Sequence, residues 1–270
     1  MKTIYNVIQT FFLGFALLFL SSCNRDKNNA PVDIELNIKS NSELILNGNL
    51  TTEELYINLS KIDIIGTREV GENVNFTRGF SNRKKFNLIN SSPEFLNLPE
   101  GTYNSLLFNL SLINNPEDND LLEDITDWLE DFNEGEDDLL SLQEDLGEII
   151  EGYINNRENT LFYKGKFTFN NHVKHVVFVL NNQDVLNLFS ANTMDNQKLS
   201  LSKDVPMSAK IVFNPTYWFG NISATILNDA FIGIMDDKPY ILINKYINTH
   251  LYTNIFNRIE ESTTFILETK

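Results

Sequence analysis

The strongest constraint on this chain is a change of hydrophobic period along it. In PVDIELNIKS, Val32, Ile34, Leu36 and Ile38 alternate with Asp33, Glu35, Asn37 and Lys39, the two-residue repeat of a strand with one wet face. ELYINLSKIDIIG places Leu55, Ile57 and Leu59 on one face, but Ile62 and Ile64 fall on the other. That slip of phase predicts a bulge or a change of sheet at Ser60 and Lys61. KKFNLIN, PEFLNL and YNSLLFNLSLI read as further strands, and Pro99 and Gly101 in LPEGTY predict a hairpin turn between the last two.

From Glu117 to Glu158 the period becomes helical. Leu121, Leu122, Ile125, Trp128, Leu129 and Phe132 recur at helix spacing, with Asp118, Asn119 and Asp120 available to cap the start and Gly135 suited to the stop. A second stripe follows in Leu139, Leu140, Leu142, Leu146, Ile149, Ile150, Tyr153 and Ile154. The expectation is a helical hairpin over about residues 117–158, inserted between strands, apolar on one side and acidic on the other.

Charge matters because of where it sits. The stretch from Glu117 to Glu158 holds 17 acidic residues and one basic residue, Arg157, so the chain's 37 acidic and 21 basic residues leave 20 of each elsewhere. The net charge of -16 is therefore a property of one segment, and the rest is balanced. Such a balance argues against nucleic acid as a partner, which needs a basic face. The one local basic crowd is Arg78, Arg83, Lys84 and Lys85 in RGFSNRKKF, a candidate to dock against the acidic face.

Strand pattern resumes in KGKFTFN and in VKHVVFVLN, which is apolar on both faces from Val176 to Leu180 and reads as a central strand. SAKIVFN and YILIN are further strands. In the C-terminal α+β part, about residues 214–265, Asn214 and Pro215 predict a helix start for TYWFGNISATILNDA, with Trp218, Ile222 and Ile226 in register. NTHLYTNIFNRIEES reads as a last helix carrying Leu251, Ile255 and Ile259. The fold class expected is α+β, mainly β: one domain over residues 31–270, a β-sandwich with the acidic hairpin inserted.

The N-terminus carries its own message. Lys2 is the sole charge in the first 22 residues, and an apolar stretch runs from Ile8 to Leu20, the order of a secretory signal and too short for a comfortable membrane span of about 20 apolar residues. Cys23, the single cysteine, closes the junction LSSC, which resembles the lipobox of bacterial lipoproteins. That resemblance implies cleavage after residue 22, a lipidated Cys23, further acylation of the new amino group (a palmitate-type chain), and a polar tether over residues 23–30. Two or more chains are what make such an anchor stable. An uncleaved anchor and a catalytic thiol are the alternatives, but no base lies near Cys23 in sequence, and no second cysteine exists for a disulfide. Asn24 rather than an aspartate follows the cysteine, which points to the outer membrane.

Taken together, LSSC, LYINLSKIDIIG, KKFNLIN and LPEGTYNSLLFNLSL resemble a group of envelope lipoproteins of Bacteroidetes-type bacteria. The likeness spans about Pro31 to Ile113, is weaker around FNPTYWF, and does not reach the acidic hairpin. It implies an immunoglobulin-like or transthyretin-like sandwich of the kind that serves adhesion, ligand binding or assembly, and it does not imply a reaction.

Candidate chemistry is sparse. His172 and His175 in HVKH stand three apart and would point to opposite faces of a strand, which disfavours a metal pair; His250 is expected at the surface and both tryptophans in the core. No nucleophile elbow, zincin motif or phosphate-cradling glycine loop occurs. A paired-carboxylate glycosidase is compatible with so many acids but has no positive signal. DNDLLEDITDWLE puts acids at alternate positions, with Asp118, Asp120, Glu123 and Asp124 as candidate calcium ligands, yet it lacks the glycine at position six of an EF-hand loop. The expectation is a lipid-anchored, non-catalytic envelope protein without a cofactor, meeting a basic partner or cations at its acidic helices; the alternative is a calcium-binding lipoprotein.

Overall fold

The computed structural model describes residues 31–41, 44–112, 119–135, 138–155, 159–181, 188–190 and 199–270, without the side chains of residues 81–83, 119 and 188–190. Residues 1–22 and 23–30, expected above to be a signal and a tether, lie outside the described residues together with Cys23 and Asp118.

The protein is mainly β, with two mixed sheets. The first holds β1 (Pro31–Ser40), β4 (Glu94–Pro99), β10 (Met207–Phe213) and β13 (Thr264–Thr269) in the order β13-β10-β1-β4. Its central pair β1 and β10 is parallel, with Leu36 opposite Ala209, and both outer pairs are antiparallel. The second sheet runs β11 (Gly233–Met235), β12 (Lys238–Ile243), β7 (His172–Leu180), β6 (Leu161–Phe169), β2 (Leu50–Arg68), β5 (Gly101–Leu112), β8 (Leu188–Ser190), while β3 (Val74–Asn87) pairs with β2 and β9 (Leu199–Leu201) with β5.

The alternating strands bury what their pattern promises. Val32, Ile34, Leu36 and Ile38 of β1 join Ile57, Leu59, Ile62 and Ile64 of β2 in one apolar cluster fed by both sheets. The phase slip in β2 is a bulge: pairing shifts register between Leu59 and Lys61, and the Ser60 hydroxyl donates to the Ser111 carbonyl at 3.0 Å. Here β2 passes from partnering β6 to partnering β5, so the one extra residue keeps both halves facing the same core.

LPEGTY is not a hairpin. β4 pairs with β1 in the first sheet and β5 with β2 in the second, so Pro99 to Gly101 carries the chain across the core from sheet to sheet. The same turn residues serve because the dihedral demand is the same; Gly101 has φ +151°. The Tyr103 hydroxyl donates to the Pro99 carbonyl at 2.7 Å and an Arg68 guanidinium nitrogen to the Glu100 carbonyl at 2.7 Å, which fixes the corner.

β7 is apolar on both faces because it has a layer on each side. Val176, Phe178 and Leu180 point into the inter-sheet cluster, whereas Val177 and Val179 point into a second cluster with Tyr56, Phe162, Tyr240 and Leu242. The second cluster is closed by α1 (Asn119–Glu134) and α2 (Leu139–Asn155).

The single C-terminal helix predicted from TYWFGNISATILNDA is two short ones, α3 (Pro215–Trp218) and α4 (Ala224–Asn228). The Asn214 side chain caps α3 and the Ser223 side chain starts α4 afresh by accepting from the Ile226 amide. Trp218 and Ile222 are buried, but Ile226 is exposed, so the helical register fails across the break. α5 (Thr249–Ser262) buries Leu251, Ile255 and Ile259 as expected. No helix among the described residues is long and apolar enough to cross a membrane.

Candidate functional site

The acidic helices form a pair whose apolar side is consumed by the sheet. Leu121, Ile125 and Trp128 of α1 and Leu142, Leu146, Ile149, Ile150 and Tyr153 of α2 are buried. Gly135, at φ +65°, ends α1, and Asp138, which the pattern did not single out, caps α2 by accepting from the Leu140 and Ser141 amides at 2.9 and 3.0 Å. The Trp128 indole N–H donates to the Leu142 carbonyl at 2.8 Å and ties the helices together. Its ring stacks on Phe132 at 5.2 Å, and both rings meet Phe231 edge-on.

Leu139 and Leu140 belong to the predicted buried stripe but are 62% and 56% exposed. They lie in the first turn of α2 and, like half-exposed Phe132 near the end of α1, stand at the surface.

Between the helices runs a groove of about 400 Å³ lined by Asp124, Asp127 and Asp131 of α1, Asp145 and Glu148 of α2, and the edges of Trp128 and Ile149. The spacing of the three α1 acids puts them on one face of the helix, and no basic side chain is among the described residues that line the groove. In water two like charges about 8 Å apart repel by about 0.5 kcal/mol, so five carboxylates create a field that gathers cations and lowers the stability of the pair at low salt.

Of the candidate calcium ligands, Asp124 lines this groove; Asp120 and Glu123 stand on the first turns of α1 outside it, and Asp118 is not described. Among the described residues no three His, Cys, Asp or Glu side chains gather into a set able to hold a metal ion.

The histidines do not converge. His172 is exposed, while His175 is partly buried against Tyr240, ring to ring at 4.7 Å, with its Nδ1 at 3.6 Å from Glu53. Burial holds the His175 imidazole below the usual histidine range, against the opposing pull of Glu53. His250 is exposed on α5.

The basic crowd does not act as a unit either. Lys84 pairs with Glu94 of β4 and lies beside Phe80 and Phe86, whereas Lys85 sits over the Tyr56 ring at 3.3 Å. Adjacent residues of a strand point to opposite sides, so Lys84 is turned away from the helix-covered face that Lys85 shares. Lys84 is thereby removed from the counter-face expected for the acidic hairpin and Lys85 is kept on it, while the side chain of Arg83 lies outside the described residues.

Sequence reasoning missed the contact that seats the hairpin. At Gly147 of α2 and Gly233 of β11 the two backbones touch: a Cβ on Gly147 would overlap the Ile234 carbonyl oxygen and lie 2.7 Å from its carbon. An isolated glycine inside a helical pattern was the available signal. Behind it, buried Asn244 accepts from the Tyr246 and Ile247 amides at 2.9 and 2.7 Å and donates to the Tyr153 hydroxyl at 3.2 Å, linking β12 to the end of α2.

What these features define is a class: a mainly β protein with two mixed sheets and a paired-helix layer that shows an acidic groove to solvent. Comparison with protein-family models, with curated proteins and with solved structures finds no match.

Proposed function

We propose that the protein is a lipid-anchored, non-catalytic binding or assembly module of the cell envelope. In this reading the two sheets are a β-sandwich, the α1–α2 hairpin is an insertion on its second sheet, and Cys23 holds the whole at the outer membrane through acyl chains. The observation that carries it is the division of labour within the hairpin. One side is spent on packing against β6, β7 and β12, while the other shows five groove carboxylates to solvent with no cation among the described lining residues. Structural economy does not require that charge; encounter with a basic partner surface or with cations does.

The second reading, a calcium-binding lipoprotein, is favoured by the same carboxylates. Thermal unfolding of the full chain in detergent separates the two. A midpoint that rises at micromolar calcium and falls with chelator identifies a dedicated ion site, because a ligand bound only by the folded state stabilises it by mass action. A midpoint that responds only to ionic strength identifies a diffuse acidic face and supports the partner-binding module.

A further inference from the structure

A second cleft, built from other elements than the acidic groove, lies where the two sheets part beside Pro31. It has a volume of about 430 Å³, within the range of small-ligand sites. Val74, Phe76 and Leu98 give it an apolar side, and Asn73, Asn75 and Asn97 line it with amides. One wall is Arg68, buried to 8% exposure at the end of β2.

The arginine is held unusually firmly for a surface-facing end of a sheet. Its guanidinium donates to the Glu100 carbonyl at 2.7 Å, and its backbone N–H donates to the Asn73 side-chain oxygen at 3.2 Å. Gly71 and Gly101, both at positive φ, let the chain close on it: a Cβ at either position would come within 3.2 and 2.8 Å of a guanidinium nitrogen. An apolar side chain would close the end of a core at least as well, since burying a guanidinium is a poor route to stability. Two backbone positions are instead given over to keeping a guanidinium flat at the cleft wall.

We propose that this cleft binds a neutral carbohydrate ring. The exposed amides of Asn75 and Asn97 each offer a donor and an acceptor side by side, the pairing that vicinal hydroxyls require, and Asn73, whose oxygen is taken by the Arg68 backbone N–H, adds its donor side. A pyranose also carries an apolar C–H face, which the partly exposed Val74 and Phe76 side accepts. Among the described residues Arg68 and Glu72 are the charged members of the lining and cancel, so they give the cleft no net attraction for an anion such as phosphate, and it suits an uncharged polyhydroxylated ligand. This site is independent of the acidic groove and of Cys23, and stands or falls apart from both.

The test uses the full chain in detergent and saturation-transfer NMR with glucose, galactose, mannose and N-acetylglucosamine, each as monosaccharide and as its β-linked or α-linked trisaccharide, with inorganic phosphate as a separate arm. The expected result is transfer to ring C–H protons of at least one sugar, weakened tenfold or more in N97A, whose exposed side chain can be removed with an unchanged melting temperature. R68M should abolish the transfer; should that variant unfold, N75A together with N97A carries the same test from the rim. Stronger binding of a trisaccharide than of its monomer assigns the cleft to a glycan chain, and equal binding assigns it to a free sugar. No transfer from any of the sugars, transfer indifferent to N97A, or binding of phosphate in place of sugar overturns the proposal.

Discussion

Replacing Gly147 by alanine probes how the acidic hairpin is attached. The new methyl group would overlap the Ile234 carbonyl oxygen and lie 2.7 Å from its carbon, where apolar atoms settle at about 3.5 to 4.0 Å. The obstacle is backbone held in the β11–β12 ladder, Ile234 opposite Pro239, and cannot swing aside as a rotamer can. α2 must therefore withdraw by on the order of 1 Å along the line where Leu146 and Ile150 are sealed against the sheet. Overpacking of this kind costs about 1–3 kcal/mol, with the rigid obstacle placing it at the upper end. Alanine returns up to about 1 kcal/mol of helix propensity. The net expectation is a loss of about 2 kcal/mol, or about 4–8 °C in melting temperature for a domain of this size. Gly152 of the same helix is the control, since a Cβ there meets only the mobile end of Leu121 at 3.1 Å, and G152A should be neutral or stabilising by up to about 1 kcal/mol. Thermal unfolding followed by circular dichroism compares the two. A G147A protein that melts at or above G152A would refute a backbone-to-backbone seat for the hairpin.

Other expectations follow from the same packing. His175 has a folded pKa below its unfolded value of about 6.5, so the unfolded chain binds the proton first and stability falls as pH drops below about 6.5; urea midpoints at pH 7 and pH 5 should show this fall, and H175Q should reduce it. Neutralising the groove with D127N, D131N and D145N should raise the melting temperature at low ionic strength and flatten its dependence on salt, because screening from about 30 Å to about 8 Å Debye length already relieves the wild-type groove. N244A strips buried amides of their acceptor and should cost about 1–3 kcal/mol in urea unfolding with an unchanged m-value.

Strand existence was legible wherever one face is wet, as in β1 and β2, because a period of two has few other physical meanings. The bulge at Ser60 was legible for the same reason: a one-residue slip reverses the faces, and only an extra residue restores them. The partner of each strand was not legible. LPEGTY satisfies a tight turn equally well within a sheet or between two, and the deciding contacts, Tyr103 to Pro99 and Arg68 to Glu100, are tertiary. Leu139 and Leu140 repeat at helix spacing, but whether a sheet lies beneath them depends on where the second sheet ends. Val176 to Leu180 announced burial on both faces without naming the helices that supply the second layer. The acidic groove was half legible: composition located the charge, whereas bringing Asp127 and Asp131 beside Asp145 and Glu148 required the helix pairing tied by Trp128 to Leu142. The cleft beside Arg68 had no sequence signal, since its residues come from the ends of β1, β2 and β4 and the start of β3.

Attachment through Cys23 is the central proposal for this protein, and the intact mass of the protein recovered from bacterial membranes tests it most directly. Expected is a chain that begins at Cys23, lacks residues 1–22, and carries the added mass of a diacylglyceryl group with an N-linked acyl chain, all lost in C23S. A membrane-extracted protein that still begins at Met1, or a mature protein with an unmodified Cys23 thiol, would contradict it.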